Sequence, residues 1–327
     1  MRFALMLEPQ QGLTYEQQLA AVRRAEAGGF ESFFRSDHYA GFPGDGDGPT
    51  TDAWAVLAGI ARETKRISLG TLVSPVTFRH PGNLVKLVTT VDQMSGGRVE
   101  IGVGAGWNDD DHGPLGLPFP EISERADLME DQLAILHGIL TEPDGWSFEG
   151  HQVRVTGSRL RPRAVQVPGR PTGATGIARP RILMGGDGSP RSFRLAARYA
   201  DEFNLSGASP ERAVEKFGAL DETLRAAGRD PATMVRSVMV GTVIGATPSE
   251  LEARVTSLMD AFGLDGARRE GYVESRRARM ILGTPDEARA MVARYAGAGV
   301  QRLMLQDFLP LDLGMIDLMA AELVTKA

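Results

Sequence analysis

Residues 66–116, RISLGTLVSPVTFRHPGNLVKLVTTVDQMSGGRVEIGVGAGWNDDDHGPLG, constrain the fold more than any other stretch of this chain. Ile67, Leu69, Leu72 and Val73 form an apolar strand that breaks at Ser74-Pro75. Leu84, Leu87, Val88 and Val91 then recur at i, i+3, i+4 and i+7, which predicts a helix with one buried face. Gly96-Gly97 closes that helix, and Val99 to Val103 begins a second short apolar strand. Strand, helix and strand with short joints make a βαβ unit, so the two strands run parallel and are buried on both faces.

The same alternation continues in both directions. Phe3 to Leu7 and Ser32 to Arg35 read as strands one and two, with Leu19 and Val22 on the core face of a helix that opens at a Thr14–Gln17 capping box and stops at Gly28-Gly29. Trp54, Leu57, Ala58 and Ala61 mark helix two. Beyond the central unit, Met129, Leu133, Leu136 and Leu140 line one face of a helix over about 121–140. Ile182 to Met184, Phe203 to Leu205, Val238 to Ile244 and Leu303 to Leu305 read as strands five to eight. Ser209-Pro210, Thr247-Pro248 and Thr284-Pro285 each open a helix with a side-chain cap and proline in the first turn, the last two with a capping box. Ile316, Met319, Ala320 and Leu323 face the core from the last helix. Eight strands alternating with helices give a (β/α)8 TIM barrel, with a doubly wound open sheet as the rival.

Two segments depart from that rhythm. Residues 142–180 contain a hairpin, SFEGHQVRV, turning near Gly150, then a proline- and glycine-rich excursion. Residues 263–280 are charged and aperiodic and read as a mobile loop. Both are insertions in one barrel domain spanning 1–327, and both are long enough to cover its mouth as lids that exclude water do. At 327 residues, 42% hydrophobic and 24% charged, the composition is that of a soluble globular protein. A net charge of −6 gives no footprint for nucleic acid. The absence of cysteine excludes disulfides and thiolate chemistry, and with no signal peptide and no apolar run of membrane-spanning length the expected setting is cytoplasmic.

Barrels of this kind keep their chemistry at the carboxyl ends of the strands. That rule selects Glu8, Asp37-His38, Thr71 to Ser74, Gly104 to Trp107, Gly185 to Gly188, Asn204 and Ser206. An imidazole at His38 donates a hydrogen bond to a cofactor or exchanges a proton near neutral pH, although an isolated loop histidine is more often just solvated. Asp37 is expected to orient the turn. Gly102, Gly104 and Gly106 permit close backbone approach to a planar ring, with Trp107 shaping the neighbouring pocket. Gly185-Gly186-Asp187-Gly188-Ser189-Pro190-Arg191 follows an apolar strand and opens a helix, so free N–H groups and the helix dipole converge there on an anion. Arg191 adds a charge-assisted contact and Asp187 is expected to face outward. Asp109, Asp110 and Asp111 read as an exposed acidic cluster, and His137 and His151 as structural. No metal is expected: Asp45-Gly46-Asp47-Gly48 lacks the later ligands of a calcium loop, and five histidines show no zinc spacing. No Gly-x-Ser-x-Gly elbow marks a hydrolase.

LGTLVSPVTFRHP (69–81), SGGRVEIGVGAGW (95–107) and RILMGGDGSPRSFRLAARYADEFN (181–204) together resemble the luciferase-like flavin and deazaflavin oxidoreductases along nearly the whole chain. The triplet Ser36-Asp37-His38 leans the resemblance toward the branch that uses the deazaflavin coenzyme F420. It implies a bacterial-luciferase-like barrel with a non-prolyl cis peptide at Leu72-Val73 supporting the back face of the ring, phosphate after strand five, and a homodimer. It favours His38 as a group acting beside the ring. The implied cofactor contacts are Asp37, His38, Leu72, Val73, Ser74, Gly104, Gly106, Trp107, Gly185, Gly186, Gly188, Arg191, Asn204 and Ser206. A sugar-phosphate dehydrogenase branch of the family carries a catalytic carboxylate where this chain has Trp107, so that role does not carry over; Asp109, Asp110 or Asp111 is a candidate replacement, with the exposed acidic cluster the preferred reading. The implied activity is hydride transfer between coenzyme F420 and a small organic substrate. The alternatives are an FMN-dependent two-component monooxygenase and a non-catalytic flavin-binding protein. Trp107, Phe42 and Phe119 suggest an apolar or conjugated substrate.

Overall fold

The computed structural model describes residues 1–43, 48–173 and 175–326, so the Asp45–Asp47 pair lies outside the described residues. Eight parallel strands form the barrel: β1 (Arg2–Leu7), β2 (Ser32–Arg35), β3 (Ser68–Thr71), β5 (Val99–Gly104), β8 (Arg181–Gly186), β9 (Glu202–Ser206), β10 (Val235–Ile244) and β12 (Arg302–Asp307). Each pairs with the next in that order, and β12 pairs with β1 to close the ring. The closed (β/α)8 barrel read from the alternation is therefore present, and the open sheet is not.

Side chains alternate across the barrel wall as a period of two requires. Phe3, Leu5 and Leu7 of β1 join the large outer core with Trp54, Leu57 and Val88 from the surrounding helices. Ala4 and Met6 instead meet Phe34, Leu72, Leu183 and Met304 in a smaller cluster inside the barrel. A buried ionic layer lies next to it. The Arg302 guanidinium, 1% exposed in its side chain, donates to both Glu100 oxygens at 2.7 and 3.0 Å and pairs with Glu202 at 2.9 Å. Burial favours the neutral acid at both carboxylates, yet Arg302 wins at Glu100, which is lowered to about 2, while Glu202 stays raised.

The helices that carry the outer wall are α1 (Tyr15–Ala27), α2 (Ala53–Glu63), α3 (Pro81–Ser95), α4 (Ile122–Thr141), α5 (Pro190–Tyr199), α6 (Pro210–Ala226), α7 (Pro248–Ala261), α8 (Gly266–Arg276), α9 (Pro285–Gly297) and α10 (Leu313–Met319). The capping boxes expected at Thr14 and Thr284 are formed. At Thr247 the hydroxyl caps Glu250, whose carboxylate reaches Ala246 instead of the cap residue's own N–H. On α3, Leu84, Val88 and Val91 are buried as expected, but Leu87 is 37% exposed, because the buried face turns toward Val85 instead.

The two insertions differ from expectation in different ways. Strands β6 (Trp146–Glu149) and β7 (Arg154–Ser158) form the expected antiparallel hairpin, packed on the flank of α4 by Asp131, which accepts three N–H groups from residues 151–153. Residues 161–180 then bind the carboxyl ends of α3 and α4: Arg170 holds Asp92, and Thr175 donates to the Thr141 carbonyl. These helix ends lie at the amino ends of the strands, so 161–180 does not cover the mouth, and the hairpin before it stays on the outer flank of α4. Residues 263–280 are not a loop; their centre is α8. Charge obscured its periodicity, yet Tyr272 and Val273 pack against the core, Tyr272 stands edge-on to Phe262, and Asp265 and Glu274 pair three residues on with Arg268 and Arg277. Phe262 in turn meets Phe308, just past the end of β12, so this segment does sit beside the mouth. A short strand, β11 (Ile281–Gly283), follows and pairs with the end of β10; three residues gave no legible pattern.

Candidate functional site at the barrel mouth

Strand β3 stops at Thr71, the Leu72-Val73 peptide is cis, and the chain resumes as the two-residue strand β4 (Ser74–Pro75) against Val103 and Gly104. The cis bond sits where the resemblance implied it. The Ser74 hydroxyl fixes this bulge by accepting from the Trp54 indole at 2.9 Å and donating to Asp37 at 3.1 Å, with Thr71 at 3.0 Å. Val73 is thereby turned into the barrel, where β5 and β8 leave room for it. A Cβ on Gly104 would lie 2.4 Å from Val73 Cγ2, and one on Gly185 would lie 2.9 Å from Cγ1. Those two glycines thus accommodate the bulge.

Asp37 is buried and held by both arms of Arg79, at 2.6 and 3.2 Å, and Arg79 also binds Asp52 and the Tyr39 hydroxyl. Asp37 therefore anchors the turn, as expected, and Arg79 is a partner that sequence reading missed. His38, next in the chain, extends toward the mouth. Its ring stands edge-on to Phe42 at 4.6 Å and to Trp107 at 5.6 Å, and Trp107 itself is 68% exposed.

Asp111 overturns the reading of an exposed acidic cluster. Asp109 and Asp110 are exposed, but Asp111 is 2% exposed, with Oδ2 2.6 Å from His38 Nδ1 and Oδ1 accepting the Tyr39 and Ala40 N–H groups at 2.8 Å each. Burial alone would raise its carboxyl. The hydrogen bond and charge of His38 and the two backbone donors outweigh that and hold it below the usual range. A single 3-10 turn, Asp109–Asp111, turns the third acid inward while the other two stay in water; three consecutive aspartates offer no signal of which it will be.

Gly186 has φ +153° with open space where a side chain would begin, Asp187 is exposed, and Ser189 caps the ten-residue α5. The backbone N–H groups of Gly188 and Ser189 meet no protein acceptor among the described residues, and Lys216 Nζ lies 2.9 Å from the Gly188 carbonyl. Arg191 points elsewhere: it is engaged by Asp127 at 2.5 Å and Glu130 at 3.4 Å. Asn204 turns into the barrel and donates to Ser237 at 2.9 Å, whereas Ser206 is exposed. Gly106, with φ +80°, lies over Pro75 and Thr77 at the rim. On the opposite side Glu8, buried at the end of β1, accepts from Gln306 and Gln10, at 2.5 and 2.7 Å.

The sequence matches the family described as luciferase-like monooxygenase over residues 1–305. The chain belongs to the luciferase-like monooxygenase family. Among its relatives is a protein of Microbacterium testaceum described as an F420-dependent glucose-6-phosphate dehydrogenase, 32% identical over 86% of this chain and 84% of the relative. Another, from Pseudomonas putida, is described as an FMNH2-dependent dimethylsulfone monooxygenase and is 30% identical over 74% of this chain and 61% of its own length. The fold of this luciferase-like chain is shared with a solved F420-dependent secondary alcohol dehydrogenase in complex with an F420–acetone adduct, at a TM-score of 0.80, 19% identity, and coverage of 99% and 98% of the two chains. No group of three or more His, Asp or Glu among the described residues would hold a metal ion, and no described helix is long and apolar enough to cross a membrane.

Proposed function

We propose that this protein is a coenzyme F420-dependent oxidoreductase acting on a small organic substrate at the carboxyl end of the barrel. The observation that carries the reading is His38, held through Nδ1 by Asp111 at the carboxyl end of the barrel, with no protein partner on Nε2 among the described residues. The 32% identity to a relative described as F420-dependent supports the choice of cofactor.

The residues present fit such a cofactor. The open space at Gly186 and the free N–H groups of Gly188 and Ser189 suit a phosphate, which the positive end of α5 favours, with Lys216 as the neighbouring cation. Leu72, Val73, Gly106 and Trp107 offer apolar surface for a ring system, and Asp37 and Ser74 keep the bulge in place. Coenzyme F420, when bound, supplies a carbon centre that accepts or gives hydride. His38 accompanies that transfer by moving a proton at Nε2, while Phe42 and Trp107 shield it from water and favour an apolar or conjugated substrate. With Arg191 paired to Asp127 and Asn204 to Ser237, neither is assigned a cofactor contact in this reading.

The whole chain is proposed to act as one barrel domain and, as the family suggests, as a homodimer, which light scattering reads directly. FMN in a two-component monooxygenase is the second reading, favoured by the FMNH2-dependent relative at 30% identity. Titrating the purified protein with each cofactor and following absorbance separates the two. Tight binding of coenzyme F420 and turnover of an alcohol, enone, quinone or imine from a panel is the expected result. Tight FMN binding with none of the deazaflavin would overturn it, and cofactor binding without any turnover would favour a sequestering role.

A further inference from the structure

We infer that Asp111 is the positioning residue that fixes the tautomer of His38, leaving Nε2 as the only imidazole nitrogen able to exchange a proton with a molecule in the barrel mouth. This deepens the function proposed above, but the structural claim concerns two side chains and needs no cofactor to be tested.

The geometry leaves one consistent assignment of protons. Asp111 Oδ1 already accepts two backbone donors, from Tyr39 and Ala40, at 2.8 Å each. Those N–H groups cannot turn away, so that oxygen is committed as an acceptor. The second oxygen, 2.6 Å from His38 Nδ1, belongs to an ionised carboxylate and is likewise acceptor-only. Nδ1 must therefore carry the hydrogen. In the neutral ring Nε2 then bears a lone pair, and no protein partner meets it among the described residues. With oxidised coenzyme F420 as the hydride acceptor, that lone pair would take the proton of a substrate hydroxyl, and the nearby Asp111 carboxylate would offset the positive charge that His38 then gains.

Asp111 is itself held from the far side. The residue after it, His112, is 1% exposed, with Nδ1 2.9 Å from the Asn108 carbonyl and Nε2 2.7 Å from the Thr77 hydroxyl. A carbonyl only accepts, so His112 also carries its hydrogen on Nδ1, and Nε2 accepts from Thr77. The 3-10 turn is thereby tied to the loop after β4 by one histidine and to the loop after β2 by the other. His112 has a backbone partner that no change at Asp111 removes, which makes it an internal control.

Asp111→Asn tests the assignment. The two backbone N–H groups still require an oxygen, so the amide presents its carbonyl to Tyr39 and Ala40 and its NH2 to His38. Nδ1 must then accept, and the hydrogen moves to Nε2, where it blocks the base. An aspartate-to-asparagine change beside a catalytic histidine acts in this way elsewhere, with geometry retained and the wrong tautomer held. The measurement is two-bond 15N–1H correlation on full-length protein labelled at histidine nitrogen, with His38→Gln identifying the His38 signals by their loss. In the parent, His38 is expected to show protonated Nδ1 and unprotonated Nε2, as His112 does. In Asp111→Asn the two His38 nitrogens exchange character while the His112 signals stay in place. A parent His38 with its hydrogen on Nε2, or one averaging between tautomers, overturns the inference without any variant. So does a folded Asp111→Asn protein whose His38 pattern is unchanged. Because the spectra are taken without cofactor, failure to bind coenzyme F420 would sink the proposed function and leave this result standing.

Discussion

At the end of β12 the Asp307 carboxyl is fully buried, with Oδ1 accepting the Leu309 N–H at 2.8 Å and Oδ2 meeting no partner among the described residues. Burial pushes it up to about 7, and nearby Asp312 pushes the same way. An acid raised in the folded state costs nothing while both states are protonated. From about pH 4 upward the unfolded chain ionises freely and the folded one does not, so folding loses free energy until pH passes 7. Asp307→Asn removes that loss, which grows by at most about 1.4 kcal/mol per pH unit. Its melting temperature should therefore gain on the parent between pH 4 and pH 7, and thermal melts across that window showing a constant difference would refute the assignment. His38 is a separate case, because its consequence is kinetic. His38→Ala should lower turnover by ~10²–10⁴-fold, the usual range for a lost acid–base group, with cofactor affinity nearly unchanged in a fluorescence titration. Retained turnover would return His38 to an ordinary loop histidine.

At the scale of elements, the bulge between β3 and β4 depends on what its neighbours lack. Gly104→Ala places a Cβ 2.4 Å from Val73 Cγ2, an overpacking expected to cost about 1–3 kcal/mol in urea unfolding. Val73→Ala opens that space, so the double variant should recover part of the loss; strictly additive costs would show that the two residues do not compete. The loop between β8 and α5 makes the opposite demand, because Gly186 faces open space. Its φ of +153° strains any side chain, so Gly186→Ala is the proper control for Gly186→Asp. If a phosphate lies there, the carboxylate should weaken cofactor binding roughly tenfold or more beyond the alanine variant, about 1.4 kcal/mol. Equal affinities in a binding titration would move the phosphate elsewhere.

For the molecule as a whole, the barrel interior is held at one level by charge and at the next by apolar packing. Arg302 of β12 neutralises two carboxylates, carried by strands β5 and β9, which both pair with β8. Arg302→Met keeps much of its volume but leaves Glu100 and Glu202 buried together with only the more distant Arg181, 3.9 Å from Glu100, as counter-charge. Removing one partner of such a pair typically costs about 3–5 kcal/mol. Urea unfolding at pH 7 should show a loss of that order, shrinking as the pH is lowered and the raised carboxyl of Glu202 takes up a proton. A loss independent of pH would mean that shape, not charge, holds this layer.

How much of this was legible in advance follows from the range of the forces involved. The barrel order was readable because strand and helix periods, glycine stops and proline-led caps are local, and each acts over a few residues. The candidate positions at strand ends followed from the same local marks, and the cis peptide at Leu72-Val73 came with the family resemblance. The charged helix 266–276 was missed because charge masks its apolar period: Tyr272 and Val273 alone pack on the core, and Phe262, which receives Tyr272, is itself seated on Phe308 from the far end of the chain. Asp111 was missed for a similar reason. It is 73 residues from His38, and nothing within its own aspartate run separates the buried carboxylate from its two exposed neighbours. Arg191, by contrast, looked free and is not, since Asp127 and Glu130 reach it from α4. Local sequence determined which elements form and where they stop; which side chains meet, and so which charges and protons are shared, was decided only when closure of the barrel brought separate loops together.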